Sequence, residues 1–414
     1  MSFYKDSFLS LILRASAIIG KFGLLFLIAR NLPVADLGVY GLFLISISLL
    51  LYILGLDFYV FNTREILSND SGNPAVLIKD QLVLHLIIYL IVFPLASILF
   101  FIDILEWKYL IWFYVLLLFE HLSQELTRLL ITLTRPVSGN IVLFIRSGIW
   151  VYVIIAIYFI STEYFTLSNI LKAWSVGAGL SVVFGGYYLK NLDWGEVRFH
   201  DVNWMWIKKG ITTSLYFLGA SIFIKAIEYA DRFFIQFYHG EDLVGVYTFF
   251  ISLANVIQTF AYTGIVAILF PPIVSAYQSG DMTRYRENLE KMAYYLVGSV
   301  LVYLLSAYFL LEYILQLVDK PIYREYVSSY WIMVSSVSFL VISLIPHYAL
   351  YVRKLDRSIF YLTGVSLVIV LILNYLLVPD MKVIGAALST LTGMIFLFVS
   401  KSSVLLIEKL SLNE

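Results

Sequence analysis

The sequence predicts an all-α, polytopic membrane protein of twelve transmembrane helices in two six-helix bundles. Three observations predict it. Of the 414 residues, 61% are hydrophobic and 14% are charged, whereas a soluble domain carries about 25% charged residues. The apolar sequence falls into twelve runs, each near the roughly twenty residues that cross a bilayer. A short segment at the start of the second run recurs at the start of the eighth, half a chain later. The mean hydropathy of +0.89 agrees with the first observation.

The first run, 7–30, is too long for the apolar core of a signal peptide and is interrupted by Arg14 and Lys21. No small-residue cleavage pattern follows it, so it is expected to remain as a helix. Runs 37–61, 82–102, 109–130, 139–160 and 167–189 complete the first half. Pro94 is expected to kink the third. The longest connection, 190–210, then divides the chain into expected bundles of residues 1–195 and 196–414. The second half repeats the count with 211–238, 243–277, 292–317, 326–351, 359–378 and 383–407. Pro271 and Pro272 are expected to break the eighth run and start its exit, and Pro346 to kink the tenth.

Basic residues gather at one set of run ends, as at Lys208, Lys209, Arg284, Arg286, Arg353 and Lys354. They are sparse at the other, where Lys108, Lys320 and Lys382 lie. The positive-inside bias places both termini in the cytoplasm. The recurring segments are Asp36-Leu37-Gly38-Val39-Tyr40 and Asp242-Leu243-Val244-Gly245-Val246-Tyr247. Gly38 to Gly245 and Tyr40 to Tyr247 are both 207 apart. Six helices per copy make the repeats parallel. The glycines are expected to allow tight packing and the tyrosines to anchor at the membrane interface.

Arg14, Lys21, Arg146 and Lys225 fall inside spanning runs. Each costs about 2.5–3.5 kcal/mol if left in lipid, so they are expected to face an interior cavity or a partner. A cationic cavity points to an anionic cargo. Arg14 and Lys21 are seven residues apart and share a helix face; the plainer alternatives are ion pairs with other helices or snorkelling to the interface. Lys225, Glu228, Asp231 and Arg232 form one charged face with i,i+3 and i,i+4 pairs. That face reads either as a self-compensating network or as a binding surface with Glu228 or Asp231 carrying a proton. Glu120, His121 and Glu125 place carboxyls beside an imidazole, which suits a proton relay, unless the helix end is simply wet. The candidates are therefore Arg14, Lys21, Arg146, Lys225 and Arg232 for substrate, and Glu120, His121, Glu228 and Asp231 for a coupling ion. His85 and His347 read as lone structural histidines.

The chain has no cysteine, which excludes thiolate metal sites and thiol nucleophiles. It has no Walker-type loop, no dinucleotide fingerprint and no His-Glu-x-x-His, and its net charge of zero gives no nucleic-acid signal. No cofactor, no metal, no nucleic-acid partner and no enzymatic activity are expected.

Ala29-Arg30-Asn31-Leu32 followed by Gly38-Val39-Tyr40 resembles the opening of the polysaccharide transporters of the multidrug/oligosaccharidyl-lipid/polysaccharide exporter superfamily. Asp231-Arg232 ahead of Val244-Gly245-Val246-Tyr247, Phe270-Pro271-Pro272 ahead of Gly280-Asp281, and Gly385-Ala386-Ala387 resemble later signatures there. Within the superfamily the chain is most similar to Wzx-type O-antigen flippases. The resemblance implies a MATE-like, V-shaped pair of bundles around a cavity. It also implies export of an undecaprenyl-diphosphate-linked oligosaccharide, the O-antigen repeat unit, across the bacterial inner membrane. Membrane lipid would surround it, and an O-antigen polymerase and a chain-length regulator would be further partners. Two other readings stand beside it. A cation-coupled multidrug exporter of the same fold should have a cavity that leans acidic. An O-antigen polymerase or glycosyltransferase usually carries a large soluble loop, which has no counterpart in this sequence.

Overall fold

The computed structural model describes residues 2–68 and 73–411. Long helices follow one another with short turns. α1 (Ser2–Asn31) and α2 (Val34–Gly55) come first. The second run was expected to continue to residue 61, but Leu56 and Asp57 take left-handed φ of 48° and 49°. That conformation ends a right-handed helix, and a separate short helix, α3 (Phe58–Ile66), follows. α4 (Pro74–Ala96) starts earlier than its apolar run because Asn73 caps it, accepting from the Ala75 N–H at 2.9 Å, with Pro74 at the first helical position. Pro94 lies two residues from its end, and α5 (Ile98–Phe101) continues after Ser97.

α6 (Leu110–Thr132) carries the charges of the fourth run. α7 (Pro136–Phe144) joins α8 (Trp150–Ile160) through a π turn, Ile145–Ile149, so the fifth run is one rod. α9 (Leu167–Leu189) is capped by Thr166. α10 (Trp204–His239) begins seven residues before its apolar run, and Asn203 accepts from the Trp206 N–H at 3.0 Å at its start. The connection before it is therefore shorter than 190–210.

α11 (Glu241–Phe260) passes through a second π turn, Ala261–Val266, into α12 (Ala267–Gln278). Pro271 and Pro272 were expected to break this run, yet both sit inside α12. They remove two backbone donors, and the wide turn just upstream absorbs the change in register. The chain leaves the helix only at Gly280, with φ of 76°. α13 (Met282–Val318), α14 (Pro321–Glu325) and α15 (Val327–Val352) follow, with Pro346 inside α15. α16 (Asp356–Ser411) is bent at Lys382, where φ is 53°. A Cβ on Gly385 would lie 2.5 Å from the Leu377 carbonyl oxygen, although eight residues of straight helix span about 12 Å. Ser366 also donates to the Gly393 carbonyl at 2.9 Å. The two legs, 356–381 and 383–411, therefore run antiparallel.

Counting those legs separately gives twelve long rods among the described residues. Nine helices, α16 counted once, are long and apolar enough to cross a membrane. α6 and α10 are equally long but carry the buried charges discussed below. Large apolar side chains are exposed where a soluble protein would hide them: Leu90 is 78% exposed, Phe159 77% and Tyr308 71%. Such surfaces belong in lipid.

The chain forms two compact units. Unit 1 contains residues 1–32 and 42–222; unit 2 contains residues 33–41 and 223–414. In unit 1, Leu130, Val142 and Leu189 pack α6, α7 and α9 together. In unit 2, Ile227, Leu340, Val370, Met394 and Leu397 join α10, α15 and both legs of α16.

The first turns of α2 pack on α11 within unit 2, and the contact repeats the sequence period. A Cβ on Gly38 would lie 2.0 Å from the Glu241 carbonyl oxygen, and one on Gly245 2.1 Å from that of Val34. A Cβ on Gly41 would lie 2.2 Å from the Thr248 hydroxyl. Val34 and Glu241, Gly38 and Gly245, and Gly41 and Thr248 are each separated by 207 residues. The glycines are required by close backbone approach, as expected. The tyrosines do not anchor at an interface: Tyr40 is 4% exposed and Tyr247 1%.

Candidate functional site

The cations of unit 1 come from two helical rods, α1 and α7–α8, and α6 sets a carboxylate between them. On α1, Ala17, Leu24 and Leu25 are buried, and they stand i−4, i+3 and i+4 from Lys21, on its own face. Lys21 nevertheless remains exposed on that face. Glu120 of α6 and Arg146 of the first π turn lie within electrostatic reach of it. Arg146 Nε is 3.6 Å from Glu120 Oε2, too long for a hydrogen bond. Glu120 Oε1 accepts from the Trp174 indole of α9 at 2.6 Å. Arg14, one face-repeat before Lys21, donates from Nε to Asn140 Oδ1 at 2.7 Å.

The π turn explains where Arg146 points. Widening the helix by one residue re-aims the side chain, and such turns concentrate at functional sites. The Arg146 carbonyl accepts from the Trp150 indole at 2.9 Å. The Trp150 and Trp174 rings stack at 5.8 Å between centroids. Gly148 brings the turn against α1: a Cβ there would meet the Phe144 ring at 2.5 Å and Ala17 at 3.4 Å. Two nitrogens of Arg146, Nε and Nη1, are buried without a hydrogen-bond partner. An unmet buried donor costs about 1–3 kcal/mol.

His121 belongs to a different network on another face of α6. Its Nδ1 is 2.6 Å from the Tyr89 hydroxyl, and its ring stands edge-on to His85, 4.7 Å between centroids. Nε2 of each histidine is buried without a partner, so His85 is not a lone structural residue. The expected His121–Glu125 relay does not form. Glu125 instead accepts from Gln81 and from Arg128, each at 2.7 Å, and Gln81 in turn bonds Asn62.

In unit 2 the charged face of α10 separates into two arrangements. Lys225 Nζ and Glu228 Oε2 pair at 2.6 Å, and Gln258 donates to the other oxygen of Glu228 at 3.1 Å. The expected Glu228–Arg232 side-chain pair does not form: Arg232 donates to the Glu228 backbone carbonyl at 3.1 Å. Arg232 is 7% exposed, its Nε has no hydrogen-bond partner, and its guanidinium lies 5.4 Å from the Tyr229 ring centre. Asp231, fully buried, accepts from Asn374 at 2.9 Å and from the Tyr247 and Thr390 hydroxyls. Glu228, Arg232, Tyr247, Gln258 and Thr390 help line a cavity of about 30 Å³, room for a water molecule. Asn374 and Thr390 were not singled out from sequence, and Tyr247 was read there as an interface anchor and not as a partner of Asp231. The available signal was two polar residues inside the last two apolar runs.

Among the described residues no group of three or more His, Asp or Glu could hold a metal ion. No known sequence family and no curated protein matches the chain. Among solved structures, it superposes on the inward-facing conformation of a multidrug resistance MATE family transporter of the MOP superfamily. The TM-score is 0.75 and the identity 16%, over 94% of each chain. This chain has the MATE-like transporter fold. It is a multi-pass membrane protein. The same MATE-like fold superposes on the lipid II flippase MurJ in its inward closed conformation. There the TM-score is 0.67 and the identity 13%, over 96% of this chain and 86% of that one.

Proposed function

We propose that this protein is a flippase for a lipid-linked oligosaccharide whose diphosphate is held by the cations of unit 1. The observation that carries the reading is Arg146: a guanidinium set on a π turn, with two buried donors unmet and the exposed Lys21 beside it. A diphosphate supplies the acceptors this arrangement lacks, and charge-assisted bonds of that kind are the strong ones. Glu120 offsets one of the three cations, leaving Arg14, Lys21 and Arg146 in net positive surroundings. Lys225 and Arg232 are proposed to complete the cargo path. Movement is proposed to occur by alternating access of two repeats, 1–195 and 196–414, in the bacterial inner membrane with both termini cytoplasmic. An undecaprenyl-diphosphate-linked O-antigen unit is the proposed cargo, and a polymerase and a chain-length regulator the proposed downstream partners.

Ion coupling is proposed for Asp231 and His121 ahead of Glu120 and Glu228, because the latter two already face a cation at 3.6 Å and 2.6 Å.

The test is surface O-antigen in a flippase-deficient strain carrying Lys21→Ala, Arg146→Ala or both, at matched membrane abundance. One charge-assisted bond contributes about 1.5–3 kcal/mol, so each single variant should slow export roughly ten- to a hundredfold if that energy acts in the transport step. Wild-type polymer from the double variant would remove the anionic-cargo reading. Efflux of cationic drugs by the wild-type protein, without polymer, would favour the multidrug reading instead.

A further inference from the structure

Two basic residues outside the site just described meet inside unit 2. Lys401, on the second leg of α16, is 5% exposed. Its Nζ lies 3.5 Å from Nδ1 of His347 on α15. Lys401 falls within the stretch Asp356–Glu408, whose helices are long and apolar enough to cross a membrane. It does not snorkel to water, as a lysine near a helix end can. Among the described residues no carboxylate lies within ion-pairing distance of it: Glu408 is seven residues on, about 10 Å along the helix, and pairs with Arg353 at 2.8 Å.

Among the described residues the immediate neighbours of the pair are aromatic. α15 adds Tyr348 and Tyr351 next to His347, and the Tyr348 ring stands edge-on to the imidazole at 5.2 Å. From α12 Phe270 packs on both tyrosines, and Tyr277 packs against Tyr285 of α13. Beyond them stands the Arg353–Glu408 pair, with Tyr285 beside Arg353. The charged group that acts on His347 is Lys401.

A buried cation without a counter-ion is costly, and ionisable residues at membrane depth mark ion pathways more often than packing. Two bases in contact differ from a base and an acid. With one proton between them, one partner is the cation and the other supplies the lone pair. A second proton would put two like charges 3.5 Å apart. The pair can therefore hold one charge stably and exchange a second only when the site is opened to water.

We propose that Lys401 and His347 form a proton-binding site in unit 2 through which transport is coupled to a proton gradient. The proton binds to the free lone pair from water on one side of the membrane and is released to water on the other side when the transporter changes its facing, so no further reactant is needed. The coupling role rests on the transport reading above; proton binding itself does not.

Two measurements on the full chain separate these. In the first, purified protein in detergent is acidified rapidly with a soluble pH dye present. Wild type should take up about one proton per chain more than the Lys401→Arg/His347→Gln double variant. Arginine keeps the charge but does not give up a proton, and glutamine keeps an acceptor but cannot take one. Equal uptake by monodisperse wild-type and variant protein overturns the site, whatever the cargo. In the second, proteoliposomes flip a fluorescent undecaprenyl-diphosphate oligosaccharide with and without an imposed pH gradient. Each single variant should keep the ungradiented rate and lose most of the stimulation. Undiminished stimulation in both overturns the coupling role. Absence of any flipping by wild type counts against the flippase reading and leaves the uptake result to decide the site.

Discussion

Glu120 and His121 are adjacent in sequence but point about 100° apart on α6. That angle sends Glu120 to Trp174 and Arg146 and sends His121 to Tyr89 and His85. The charged residues themselves were legible, because a Lys, Arg, Asp or Glu in an apolar run stands out against its neighbours. Their partners were not. Asp231 finds Asn374 and Thr390 on the two legs of α16, 143 and 159 residues away, and no spacing rule reaches that far. The same holds for Lys401, whose neighbour His347 lies 54 residues away in sequence. Asp231 gives a direct expectation. Asp231→Ala strands the Tyr247 and Thr390 hydroxyls, at about 1–3 kcal/mol each, so the detergent-solubilised protein should melt at a clearly lower temperature. An unchanged melting temperature would mean that water replaces the carboxylate.

At the scale of the element, apolar length located nearly every helix, while ends and breaks depended on other forces. Caps extended α4 and α10 beyond their apolar runs, through Asn73 and Asn203. The break at Leu56–Asp57 had only a faint cue, since Asp is enriched among residues with a left-handed backbone but Leu is not. The prolines of α12 misled because their cost depends on whether neighbouring turns can absorb it, which a sequence does not display. Glycines separate in the same way. A Cβ on Gly38 or Gly245 would strike backbone, whereas around Gly298, in the middle of α13, nothing lies within 4 Å. Gly298→Ala should stabilise by roughly 0.5–1 kcal/mol through helix propensity. Gly38→Ala and Gly245→Ala should destabilise by more than that. Thermal melts of the three variants check the contrast, and a Gly38→Ala protein as stable as wild type would show that the α2–α11 contact can open freely.

For the whole molecule, the twelve rods and the charge bias lead to one topology. Reporter fusions after Gly280 and Asp356 should read cytoplasmic, and fusions after Trp107, Thr162 and Asp380 periplasmic. A periplasmic signal at Gly280 would invert the second half. The repeat register also refines how the two copies compare. At an offset of 207 the counterpart of Lys21 is Glu228, and the counterpart of Lys225 is Ile18. One position is thus charged in both copies with opposite sign, so the copies have diverged in chemistry while keeping the helix that presents it.

The glycine contact between α2 and α11 is reciprocal at an offset of 207: Gly38 meets Glu241, the counterpart of Val34, Gly245 meets Val34 in turn, and Gly41 meets its own counterpart Thr248. In a half-length ancestor that reciprocity would be the self-complementary contact of two copies, position 34 against 38 and 38 against 34, about a two-fold axis. Position 41 would have met itself on that axis, where two glycines leave a hole and two threonines collide. Joining the copies let them differ, and the chain now sets a glycine on one side and Thr248 on the other, a knob and a socket that a symmetric dimer could not encode.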